Sequence, residues 1–250
     1  MLPWYLPCSL LGIWWGISAG EYAPAWLLPP PAQVARTIWI YVTGWGSDPY
    51  AGRFFGDATA SLSRVACGYA LASIPGIILG MWSGRNATIA RLLGPTINGI
   101  KAVPGISWLP LALIWLGVGM LTTIFLIALA GFFPVYFSAA AAAASTPPRL
   151  LQAGQMLGLS RKKIFTQVVL PWSMPQLCAG LRVALGMSFA YLVLGELTGV
   201  ADGLGALIMD ARMNGRVDIL LSGILLIALL GFLCDAVLTR FLDLLPGTTR

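Results

Sequence analysis

The densest charge in the chain is Arg161-Lys162-Lys163, with Arg149 shortly before it, in the stretch LLQAGQMLGLSRKKIFTQVVLP of residues 150–171. Lysine and arginine offer donors and positive charge but no acceptor, so this cluster suits lipid headgroups or an acidic partner. Groups for covalent or metal chemistry are scarce. The chain has no histidine, and Cys8, Cys67, Cys178 and Cys234 lie in apolar stretches without a CxxC pair. That excludes a zinc site with His ligands, argues against a disulfide framework and reads the thiols as buried small hydrophobes. No GxxxxGK[ST] run occurs, so the chain lacks the phosphate-cradling loop for ATP hydrolysis. No catalytic residue, metal ligand or resident cofactor is assigned.

Three other ionisable residues invite function, because charge at membrane depth is costly. Arg182 and Glu196 are placed near the ends of the fifth apolar segment, where either can snorkel to the surface. Asp235 lies deeper in the sixth, to pair with Arg240 or reach the inner surface.

The elements that must carry these residues are apolar. Of 250 residues 58% are hydrophobic and only 10% charged, with a mean hydropathy of +0.83, against about 25% charged in a soluble domain. A spanning helix needs roughly 20 apolar residues. The expected fold is an all-α polytopic membrane protein, one domain over residues 1–250, with six transmembrane helices near 2–19, 58–83, 103–117, 121–144, 174–197 and 219–242. A connecting loop is expected over 145–173 and an interfacial helix near 32–45, where Val34, Ile38, Tyr41 and Val42 recur at helical spacing beside Trp39 and Trp45. Residues 2–19 lack a basic start and contain Pro3 and Pro7, so they read as a retained span rather than a signal peptide.

Gly68, Ala72, Gly76, Gly80 and Gly84 place a small residue at every fourth position of the second span, a seam that admits another helix closely. Pro75 should kink this span. Pro104, Gly105 and Pro110 interrupt the third, and non-helical backbone at membrane depth must be packed in protein or line a cavity. A pathway wall or a simple kink are both open there.

From Ala58 to Gly195 no acid occurs. Residues 84–101 and 145–173 hold Arg85, Arg91, Lys101, Arg149, Arg161, Lys162 and Lys163, whereas the opposite connections hold four basic residues beside six acids. The positive-inside rule places the first set in the cytoplasm, and with six spans both termini too. It also accounts for the net charge of +6 without nucleic acid.

Within the opening stretch Thr146 is expected to N-cap a helix from Pro147 to Leu157 that closes at Gly158. Ser160 should cap a second helix that presents Ile164, Phe165, Val168 and Val169 and is stopped by Pro171. The basic triplet at that helix's start opposes the macrodipole, which again points to an external contact.

This segment resembles the cytoplasmic EAA loop of ATP-binding-cassette importer permeases. The family pattern is Glu-Ala-Ala, three residues, Gly, nine residues, an aliphatic, one residue, then Leu-Pro; here stand Gln152-Ala153-Gly154, Gly158, Val168 and Leu170-Pro171. LLPPPAQV, SLSRVACGYALASIPGIILG and GELTGVADGLGALI are similar to the nitrate/sulfonate/taurine/bicarbonate subfamily. The resemblance implies a permease subunit in a bacterial inner membrane, importing a small anion such as a sulfonate, taurine or nitrate by alternating access. It also implies a homodimer, a separate ATPase dimer that supplies ATP and Mg, and a periplasmic or lipid-anchored binding protein, all within membrane lipid.

On that resemblance the ATPase-coupling residues are Arg149, Leu151, Gln152, Ala153, Gly154, Met156, Leu157, Gly158 and Arg161. Gln152 in place of Glu loses the charge. Gly154 in place of Ala costs the helix about 1 kcal/mol. Candidate path residues are Pro104, Ser107, Ser138, Ser188 and Glu196. The alternative is an ion-coupled secondary transporter, which needs midplane carboxylates and inverted repeats; Asp235 is its lone candidate, and no repeat is evident.

Overall fold

The computed structural model describes residues 5–20, 22, 24 and 26–244. The start of the expected first span at 2–4, Glu21 and the terminal Arg250 lie outside the described residues. Every regular element among the described residues is helical. They are α1 (Tyr5–Ala19), α2 (Pro31–Thr43), α3 (Phe54–Arg85), α4 (Ala87–Ala102), α5 (Leu109–Leu116), α6 (Met120–Ala144), α7 (Pro148–Met156), α8 (Arg161–Glu196), α9 (Leu204–Met213) and α10 (Val217–Asp243).

Four helices, α3, α6, α8 and α10, are long and apolar enough to cross a membrane. A fifth crossing is obtained when α4 and the segment Gly105–Leu116, bent by 86° at their junction, are taken together. The described part of the first expected span, α1, has 15 residues. At 1.5 Å per residue that is about 22 Å, short of a hydrocarbon core of roughly 30 Å.

Two departures concern the third crossing and the last connection. Residues 84–101 are not a loop: α3 runs to Arg85, and Asn86 accepts bonds from the amides of Thr88 and Ile89 to cap α4. A single residue separates the two helices, because an asparagine in extended conformation both ends one and starts the next. Residues 198–218 likewise contain a buried helix, α9. α3 continues unbroken through Pro75.

Residues cluster into two compact units. One holds residues up to Leu62 with Glu196–Leu229, the other Ser63–Gly195 with residues from Leu230 on.

In the first unit, α2 starts with Pro31 at its first position and ends at Gly44 in a left-handed conformation (φ 77°). It buries Val34 and Tyr41, while Trp39 and Trp45 stay exposed. Buried polar groups organise the rest. The three amides that open α9 are each taken by a side chain: Gly203 donates to Asp57 Oδ1 (3.1 Å), Leu204 to Ser61 Oγ (2.9 Å) and Gly205 to Glu196 Oε2 (2.7 Å). Ser61 in turn donates to Glu196 Oε1 (2.8 Å), and Tyr41 to Asp57 Oδ2 (2.7 Å). A helix start has orphan N–H groups and a partial positive charge, so carboxylates there are favourable. Burial, and then the bond to Asp57, push the Tyr41 phenol well above its usual range, keeping it a donor. Nearby, Arg216 holds Asp218 through two bonds (3.0 and 2.9 Å) and Asp48 through one (3.1 Å).

In the second unit the small-residue seam meets α6. A Cβ on Gly68 would meet Ile127, one on Gly76 would meet Val135, and one on Gly84 would meet Ala143, while Ala72 faces Gly131. The partner's number climbs in step with the seam's, so α3 and α6 run parallel. A parallel neighbour requires the chain between them to return across, which the bent α4–α5 segment does. The six alanines 139–144 belong to this contact: Ala139, Ala142 and Ala143 are fully buried or nearly so. Small residues facing small residues let the backbones close up, and packing of that kind holds helices together where no water drives burial. Met81, Val135, Val169, Leu177 and Leu181 continue the core.

The thiols are not buried. Cys8 and Cys67 are exposed, and Cys178 and Cys234 are half-buried. In a spanning helix an apolar stretch marks residues facing lipid as well as core, so hydropathy does not imply burial.

Candidate functional site

The connection after α6 begins with two hydroxyls that close that helix: Ser145 donates to Ala142 O (2.8 Å) and Thr146 to Ala143 O (3.1 Å). Thr146 is thereby spent on the preceding helix and does not cap the next. Pro147 is the residue before α7, not its first. It precedes Pro148, which keeps it out of the α region, at φ −58° and ψ 133°.

α7 ends as expected at Gly158, with φ 69°. Gly158 N donates to Gln155 O (2.9 Å) and Leu159 N to Gly154 O (3.1 Å), the two reverse bonds of a Schellman motif. Ser160 caps α8 through Lys163 N (3.4 Å). Pro171 does not stop that helix. Phe165–Val169 form a π-helical turn in which Leu170 N reaches Phe165 O, and the helix runs on to Glu196. The wide turn lies just before Pro171, which has no N–H to donate, and the helix passes it without a break. The apolar segment expected to begin near Met174 thus belongs to a helix continuous from Arg161.

α7 packs against the start of α8 through Gly154. It is buried, and a Cβ there would lie 3.2 Å from Ile164 Cγ1. Its place in α7 therefore has a packing reason beyond propensity. Gly154→Ala should change stability by no more than about 1 kcal/mol, the propensity gain offset by the tight methyl, whereas Gly154→Val should lower the detergent melting temperature clearly. A valine variant as stable as the parent would refute the close approach.

Of the nine expected coupling residues, Arg149, Gln152, Ala153, Met156, Leu157, Gly158 and Arg161 are exposed. Met156 is 88% and Leu157 78% exposed, large apolar side chains at the tip of a doubly bonded turn. Gly154 faces inward, and Leu151 is half-buried against the protein's own core.

The interrupted third crossing lines a cavity of about 520 Å3 bounded by α4, the bend, α6 and α8. Of the five expected path residues Pro104 and Ser138 line it; Ser107, Ser188 and Glu196 do not. Ser107 is exposed, and the buried Ser188 hydroxyl donates to Ala184 O (2.8 Å). Glu196 is completely buried in the α9 network rather than snorkelling. Gly105 allows Tyr191 to lie against the bend, where any Cβ would collide with the phenol. Lys101, read from sequence only as a topology marker, lines the cavity with Gln176 and Tyr191. Its signal in the sequence is its place two residues before Val103-Pro104-Gly105, the segment that must be packed in protein or line a cavity if the helix breaks.

Arg182 and Asp235 find each other, with bonds of 3.0 and 2.7 Å. Arg182 lies near the middle of α8, and Asp235 on α10 pairs with it rather than with Arg240. A two-point ion pair neutralises both charges on spanning helices.

The family model for binding-protein-dependent transport system inner membrane components matches residues 76–245. The taurine transport system permease protein TauC of Escherichia coli (strain K12) is 34% identical over 90% of this chain and 82% of its own length. The nitrate import permease protein NrtB of Leptolyngbya laminosa is 31% identical over 91% and 81%. Among solved structures, a chain of the MetNI methionine ABC transporter in inward-facing conformation superposes with a TM-score of 0.69 at 18% identity, over 82% of this chain and all of that one, which shows a shared fold. The chain thus belongs to the binding-protein-dependent transport system inner membrane components, the permeases of ATP-binding-cassette importers.

Proposed function

We propose that this permease imports a small anion, with a sulfonate, taurine or nitrate as the solute class, working as a homodimer with an ATPase dimer and a separate binding protein. Support for the solute class comes from relatives whose names specify taurine, aliphatic sulfonates and nitrate. The ATPase docks on α7 and its turn, ATP and Mg stay on that partner, and the 520 Å3 cavity is part of the path. Both termini and the 145–173 connection face the cytoplasm, following the basic bias, with membrane lipid around the spans.

The observation that carries the docking is the exposure of Met156 and Leu157 on a rigid turn in the register of the EAA pattern. Buried apolar anchors dominate interfaces. Replacing both with glutamate should weaken assembly with the ATPase by about 30-fold or more and abolish stimulation of ATP hydrolysis by the binding protein. Undiminished stimulation in proteoliposomes would place the docking elsewhere. The ion-coupled alternative draws nothing from Asp235, which is committed to Arg182.

A further inference from the structure

We infer that Lys101 recognises the anionic group of the solute as it passes, an assignment that rests on reading the cavity as the path. Lys101 is the only formally charged side chain among the residues that line the cavity. The other lining side chains able to donate are Trp108, Ser138, Gln176 and Tyr191, and most of the wall is apolar or aromatic. Lys101 is exposed, so an anion in the cavity can reach its ammonium, the one full positive charge on the wall.

Its charge is also uncommitted. No acid occurs between Ala58 and Gly195, and among the described residues Lys101 makes no ion pair. Its ammonium rests 4.3 Å from the centroid of the Phe137 ring. A cation–π contact of this kind is weaker than a charge-assisted bond to an oxyanion. The flexible stem can therefore exchange ring for solute without a carboxylate competing. Lys101 also sits in the last turn of α4, where the helix C-terminus favours a cation, so a purely structural role has to be told apart from recognition. A lysine kept only for that dipole, or only for membrane topology, would leave transport intact when its charge is removed.

The test uses the whole complex, permease with its ATPase and binding protein, in proteoliposomes, with radiolabelled ethanesulfonate and nitrate as separate probes. Whichever anion the parent carries, Lys101→Gln should cut its ATP-dependent uptake by about tenfold or more. ATP hydrolysis stimulated by the binding protein should stay within about twofold, since the docking turn is untouched, and Lys101→Arg should retain uptake within about threefold, because the charge and donors persist. Uptake by Lys101→Gln equal to the parent's overturns the assignment. So does a parallel loss of hydrolysis, or failure of Lys101→Arg to rescue, because either marks a structural role. A parent complex that hydrolyses ATP on demand yet carries neither anion overturns the reading of the solute, and the inference falls with it.

Discussion

Gly80→Leu should leave almost no folded permease in the membrane, and Gly80→Ala should already lower its stability by about 1–3 kcal/mol. A Cβ at this position would lie 2.5 Å from the carbonyl oxygen of Tyr136 and 2.7 Å from Ala139 Cβ. Neither can swing aside: one is backbone, the other a methyl fixed to it. Relief requires α3 and α6 to separate, which loosens the contacts at Gly76 and Gly84 as well. Gly99→Ala in α4 is the matched control, since nothing lies within 4 Å of a Cβ there. It should be neutral or stabilising by about 1 kcal/mol from helix propensity. Membrane accumulation and melting temperature in detergent measure both. Equal behaviour of Gly80→Ala and Gly99→Ala would sink the close-contact account.

Glu196→Leu should destabilise the protein by about 2–5 kcal/mol, while Glu196→Gln should cost much less. The carboxylate is fully buried and accepts from Ser61 and from Gly205 N. Leucine leaves both donors in an apolar site without an acceptor. Glutamine keeps one oxygen for the Gly205 amide, and the Ser61 hydroxyl, which already accepts from Leu204 N, can reorient toward the new amide. Hydrogen exchange locates the effect: amides of residues 203–205 should lose protection in Glu196→Leu before those in the middle of α9 do. Unchanged exchange at the start of α9 would mean the network does not hold that helix.

The legible parts of this molecule share one property: their cause lies within a few residues. The seam at Gly68 to Gly84 is a spacing, the caps at Gly158 and Ser160 are local conformations, and the long apolar helices are composition. Where the reading departs from the structure, a distant partner or a neighbouring proline decides. Glu196 looks like a helix-end carboxylate until Ser61, 135 positions away, and the α9 amides surround it. Arg182 and Asp235 lie 53 positions apart, and nothing in either segment names the other. Thr146 carries the right side chain for a cap, but Pro147 and Pro148 displace the helix start, leaving the hydroxyl to the alanine helix behind it. Lys101 reads by sequence only as a topology marker, and its place on the cavity wall depends on the 86° bend that follows it.

The π-helical turn at Phe165–Val169 also sets a rotational phase. Each residue of an α-helix advances the direction of its side chain by about 100°, and a π turn holds one residue more than the α turn it replaces. The surplus residue thus swivels everything ahead of it about the axis of α8 while leaving the rod continuous. Had the turn been α-helical, the segment carrying Arg161 and Ile164 would point roughly a quarter-turn away. Ile164 would then miss Gly154, and α7 would face another direction. The five residues act as the bearing that aims the exposed tip, so a single deletion there would misdirect the proposed docking surface without altering one residue within it.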